Sequence, residues 1–117
     1  MYEIYVDGGA NPKGDAYACM YDPQIDIKII KRYKNITNND AEYKAVLLAI
    51  RYAKDKGLQN ICIYTDSQLI EGHINKGWNS MQKFKPMINI IKKFLEATNS
   101  KLTWIRREYQ LAHTDLR

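Results

Sequence analysis

The sequence predicts an α/β fold: a mixed five-stranded sheet, three antiparallel strands followed by parallel crossovers, flanked by helices. Three observations carry that prediction. The first third alternates short apolar runs with turn residues, the middle switches to helical spacing, and the later strand-like run is followed by a segment that can be capped as a helix. With 117 residues, 45% hydrophobic and 26% charged, the chain has material for one core and is expected to form a single domain over residues 1–117.

"YEIYVD" sets Tyr2, Ile4 and Val6 in alternation with Glu3, Tyr5 and Asp7, so a strand ending at Asp7 is expected before the glycine pair. "AYACMYD" and "DIKIIKRYK" follow turn signals at Asn11 to Gly14 and at Asp22 and Pro23, which completes a three-strand meander. In "TNNDAEYKAVLLAIRYAKDKG", Ala45, Leu48, Ala49 and Tyr52 recur at helical spacing; the Asn and Asp residues offer an N-cap and Gly57 a stop. "NICIYTDS" is a short strand, and Ser67 or Asp66 can cap a second helix through "QLIEGHINKGW". Strand followed by crossover helix implies parallel pairing. A third helix carries Phe84, Met87, Ile88, Ile91, Phe94 and Leu95 as one apolar stripe, with Pro86 in its tolerant first turn. "KLTWIRR" is a last strand, and "EYQLAHTDLR" is expected to begin a last helix of about two turns.

A net charge of +5 points to an anionic partner, of which nucleic acid is the commonest. Cys19 and Cys62 lie in apolar runs, without a neighbouring Cys or His at metal-ligand spacing, and fit a reducing, cytoplasmic setting. No apolar signal core opens the chain and no run approaches the roughly 18 residues that span a bilayer, so a soluble protein without membrane attachment is expected.

The acids carry the chemistry. Asp7 ends strand one, Asp66 ends strand four, and Glu42 lies in the first turn of the helix after strand three. If strands one and four are parallel neighbours, their C-terminal ends bring Asp7 and Asp66 together and an inward-facing Glu42 can join them. Such a cluster is unfavourable unless a cation neutralises it, and hard oxygen donors suit Mg²⁺ or Mn²⁺. Two such ions about 3.5 to 4 Å apart can activate water and stabilise the leaving oxygen of a phosphoryl displacement. Each acid also has a structural reading: Asp before Gly-Gly as a turn, Glu complementing a helix dipole, Asp-Ser as an N-cap.

"DGGANPKG", "TNNDAEYKAVLLAI" and "IYTDSQLIEGHINKGW", in this order and spacing, resemble the type 1 ribonuclease H family over nearly the whole chain, and most closely its compact microbial branch lacking the basic protrusion. The resemblance implies a ribonuclease H-like fold and an endoribonuclease that cuts the RNA strand of RNA/DNA hybrids with two Mg²⁺ ions, for which Mn²⁺ can substitute, leaving 5′-phosphate and 3′-hydroxyl ends. It implies that Asp7, Glu42 and Asp66 bind the metals: Asp7 helps bridge the two ions, Asp66 holds the ion on the attacking-water side, and Glu42 completes the set while touching RNA. It further implies that Asn38 and Gln68 read the minor groove, with Asn11 and the backbone at Gly9 beside them, and that Thr37 holds a phosphate of the DNA strand. Helix capping and turn formation are the structural reading of Asn38 and Asn39, and are compatible with groove contacts. Family members are often monomers, and a monomer is expected.

The pattern departs at the end of the chain. The family supplies a fourth carboxylate in a stretch reading roughly Arg-Glu-x-Asn-x-x-Ala-Asp; here "RREYQLAHTDLR" puts His113 after the motif alanine and Asp115 two residues later. On a helix those two positions are about 200° apart, so only one would face the site. Asp115 is favoured as a ligand because it retains the charge, with His113 as a supporting or proton-handling group, and a third reading makes neither catalytic. The altered corner leaves a rival from another class, a module that binds RNA/DNA hybrid or double-stranded RNA with weak or no catalysis. The family's loop histidine before the last helix is absent, and Arg106 or Arg107 can bind phosphate instead. His73, Trp78 and Trp104 read as packing or rim residues. Lys28, Lys31, Arg32, Lys34, Lys83 and Lys85 suit either an electrostatic track for nucleic acid or a solvated face.

Overall fold

In the computed structural model, which describes residues 1–114, alternation along the first strands produces the meander. β1 (Tyr2–Ala10) pairs antiparallel with β2 (Asp15–Asp22), which pairs antiparallel with β3 (Ile27–Lys34). The Asn11 side-chain oxygen accepts from the amides of Lys13 and Asp15, at 3.0 Å each, and so builds the first turn. β4 (Ile61–Thr65) lies parallel beside β1, and β5 (Lys101–Trp104) parallel beside β4, giving the order β3-β2-β1-β4-β5. This is the mixed sheet that the sequence predicts.

α1 (Asn38–Lys56) starts at Thr37, whose hydroxyl accepts from the Asp40 amide at 3.1 Å while the Asp40 carboxylate accepts from the Thr37 amide at 3.2 Å. The cap is therefore the threonine and not the following Asn or Asp. Glu42 falls in the second turn, one turn further in than expected. Gly57 ends α1 at φ 64°. Ser67 caps α2 (Gln68–Asn75), which stops three residues before Trp78, and a 3₁₀ turn at Gln82–Phe84 leads into α3 (Lys85–Ala97). α1 lies on β1 and β2, α2 on β4 and β5, and α3 packs on α1 and α2; the core they share includes Ile4, Val6, Ile61 and Ile63 with Tyr43, Val46, Ile50, Ile91 and Leu95.

The buried Asp22 marks the end of β2 away from Asp7. It accepts from the hydroxyls of Tyr52, at 2.7 Å, and of Tyr2, and from the Gln24 amide at 3.0 Å. Burial opposes its ionisation, but these hydrogen bonds outweigh it and hold the carboxyl below its ordinary range. The network pins β2 to α1.

Two further expectations are corrected. β1 does not end at Asp7: its pairing with β4 stops at Tyr5, opposite Tyr64, but its pairing with β2 continues to Ala10, opposite Ala16. The expected last helix is, among the described residues, a 3₁₀ turn at Arg107–Tyr109 followed by extended backbone at Gln110. The Gln110 side-chain oxygen takes the Ala112 amide, a donor competing with helical pairing, and a segment this short has little cooperative drive to form a helix. The helical argument separating His113 from Asp115 therefore lapses, and Asp115 lies outside the described residues.

Candidate active site

Beyond Tyr5 the β1 backbone leaves β4, and α1 closes onto it. That approach depends on Gly8: a Cβ there would lie 2.4 Å from the Ala41 carbonyl carbon and oxygen and 2.5 Å from the Glu42 amide nitrogen. Gly8 thus marks helix contact rather than a chain reversal, while Gly9 faces the Tyr17 ring. Asp7 from β1, Glu42 from α1 and Asp66 just past β4 consequently line one cavity of about 560 Å³, together with Tyr17, Arg107 and His113. Among the described residues no three acidic, histidine or cysteine side chains are drawn into a closed ligand group. The three carboxylates share the cavity wall without converging on one point.

Asp7 is only 5% exposed and accepts from the Tyr17 hydroxyl at 2.7 Å, while the His113 Nδ1 lies 3.6 Å from its Oδ2. Sequence reasoning missed Tyr17. Its one signal is register, since it stands opposite Gly9 and two residues from Cys19, the partner of Asp7. At Asp66 the backbone carbonyl accepts from the Trp104 indole at 3.3 Å.

Burial is the main cause that raises the pKa of all three carboxyls. Asp66 and Asp7 add repulsion at Glu42, against lowering by Ser67 and Arg107, and Glu42 is pushed up to about 7; at Asp66, Arg107 and His113 pull the other way. A carboxyl raised in the fold contributes stability that is complete below its ordinary value and is lost as pH rises through about 7. The cation-free protein should therefore melt lower at about pH 8 than at about pH 5, for a loss on the order of 2 kcal/mol, and Glu42→Gln should flatten that slope. Thermal melts in chelator across this range check it; equal slopes for both proteins would remove Glu42 as its source.

The remaining predicted residues divide. Gly9, Asn11 and Asn38 line the cavity; Thr37 and Gln68 are not among its lining residues. Asn38 ties the α1 start to β1 by accepting from the Ala10 amide at 2.6 Å, so its structural reading is realised, and its amide hydrogens are the part available to a ligand. Thr37 caps α1, as above. Arg107 lines the cavity and Arg106 does not. Of the other cations, Lys34 pairs with Asp15 and Lys83 with Asp40, while Lys28 donates to the His113 carbonyl at 3.0 Å. His73 is buried and hydrogen-bonded to the Tyr43 hydroxyl at 2.5 Å, a packing role; Trp78 and Trp104 are rim residues, 48% and 37% exposed. An apolar cavity of about 460 Å³ near the C-terminal end of α1, against α3, has no carboxylate in its lining.

The RNase H family profile matches residues 1–115. RNase H1 from the halophilic archaeon Halobacterium salinarum NRC-1 superposes with a TM-score of 0.75 at 21% identity, over 92% of this chain and 86% of that one. LC11-RNase H1, isolated from compost and solved in complex with an RNA/DNA hybrid, gives 0.77 at 20% identity, over 95% and 89%. The N-terminal RNase H domain of a Mycobacterium tuberculosis protein gives 0.75 at 15%, over 94% and 86%. No curated protein matches the sequence.

Proposed function

The chain belongs to the RNase H family, and from that premise we propose that it is a monomeric, single-domain endoribonuclease of the cytoplasm. It hydrolyses the RNA strand of RNA/DNA hybrids with divalent metal ions, leaving 5′-phosphate and 3′-hydroxyl ends. The observation that carries this reading is the shared cavity of Asp7, Glu42 and Asp66. Its donor set fits Mg²⁺ or Mn²⁺, since it offers three hard carboxylates whose unfavourable burial and repulsion a cation would relieve. Asp7, Glu42 and Asp66 would hold the ions, which when bound supply an activated water and stabilisation of the leaving oxygen.

The chain's own groups prepare that chemistry. Tyr17 fixes the Asp7 carboxylate by donating to it, and Gly8 lets α1 bring Glu42 close. At the corner of Asp7 stands His113, a supporting or proton-handling group, with Asp115 as the fourth metal-binding carboxylate. Arg107 holds a backbone phosphate at the mouth. Asn38 and Gln68 read 2′-hydroxyls and base edges in the minor groove, helped by Asn11 and the Gly9 backbone. The Thr37 hydroxyl, which accepts as the α1 cap, still has its hydrogen to donate to a DNA phosphate.

End-labelled RNA offered as hybrid, duplex RNA and single strand, with Mg²⁺, Mn²⁺ or chelator, tests this. Metal-dependent cutting confined to the hybrid is expected. Binding without cutting under either metal would instead support the hybrid or double-stranded RNA binding module.

A further inference from the structure

Gln110 is 6% exposed in a segment whose neighbours, Tyr109 and Leu111, are 64% and 51% exposed. A buried amide on an open turn needs partners, and this one bridges two backbone groups. Its Nε2 donates to the Val6 carbonyl at 2.8 Å, and its Oε1 accepts from the Ala112 amide at 3.2 Å. Val6 directly precedes Asp7, at the point where β1 has lost β4 as a partner. Ala112 is fully buried and packs with Tyr17 and Cys19, and Tyr17 is the donor to Asp7. The next residue is His113, with its Nδ1 3.6 Å from Asp7.

We propose that Gln110 is a positioning residue: by bridging Val6 and Ala112 it locks the segment after β5 onto β1, so that His113 is held against Asp7. The amide is suited to the task because it both donates and accepts. Alanine removes both contacts. Glutamate keeps the acceptor for Ala112 but turns an oxygen toward the Val6 carbonyl, where a donor is required. The kinetic consequence rests on the nuclease reading given above; the geometric one does not.

The test compares Gln110→Ala and Gln110→Glu in two assays on the full chain. In the first, the His113 ring resonances are recorded by NMR with and without Asp7→Asn. The ring should respond to that change in the wild-type background and cease to respond in both Gln110 variants. In the second, hybrid cleavage should lose about tenfold in kcat at unchanged KM, and His113→Ala should add no further loss to Gln110→Ala, the size being that of other groups that orient a metal site. A purely structural glutamine would instead lower Tm, and its loss would multiply with that of His113→Ala. A His113 ring that still senses Asp7→Asn in both variants overturns the proposal, as does a multiplicative loss. If the wild-type protein cuts no hybrid, the nuclease reading falls and the ring comparison alone decides on Gln110. Should Gln110→Ala not fold, the glutamate variant carries both assays.

Discussion

Asp66→Asn is expected to lower hybrid cleavage by roughly 10³-fold or more while hybrid affinity stays within a few-fold of wild type. The substitution is nearly isosteric and spares the fold. α2 is capped by Ser67 and not by Asp66, and the contact from Trp104 goes to the Asp66 backbone, which asparagine keeps. Stability should hold or rise, because burial already disfavours the charge that is removed. Cleavage of end-labelled RNA and binding by fluorescence anisotropy, run on the same preparation, separate the two quantities. Wild-type cutting by the variant would refute the site assignment.

Gly8→Ala should be strongly destabilising. Its Cβ would sit 2.4 to 2.5 Å from backbone atoms of Ala41 and Glu42, and neither β1, held by β2, nor the capped α1 can yield easily. A loss of about 3 kcal/mol is expected, which for a domain of this size lowers Tm by on the order of 10 °C. Cleavage should fall as well, since the displaced helix carries Glu42. Gly9→Ala provides the contrast. Its Cβ would meet the Tyr17 ring at 2.9 Å, which asks a buried side chain, and no backbone, to shift by a few tenths of an ångström, so the melt should move less. A Gly8→Ala melt indistinguishable from wild type would mean that α1 and β1 are not in backbone contact.

The sheet and the cavity shared by the three acids were legible because each depends on local signals: strand alternation, helical spacing, and carboxylates beside turn and cap residues. Gly8 was legible only in part. Its sequence context suggests a turn, whereas its reason is the approach of a helix more than 30 residues later in the chain. Tyr17 was hidden for a similar cause, since its alignment with Asp7 arises from antiparallel register rather than spacing. The final segment was misread because helix propensity says nothing about a Gln110 side chain whose partner, Val6, lies at the other end of the sequence. Long-range hydrogen bonds override weak local preference.

The indole of Trp104 donates to the backbone of Asp66, whereas Trp78, the protein's other tryptophan, packs on Gly72. The chain therefore carries its own optical probe. Emission from Trp104 is expected to respond to a change of charge at Asp66, so with Trp78 changed to phenylalanine a Mg²⁺ titration followed by fluorescence tests cation binding there, before any substrate is added and without a label.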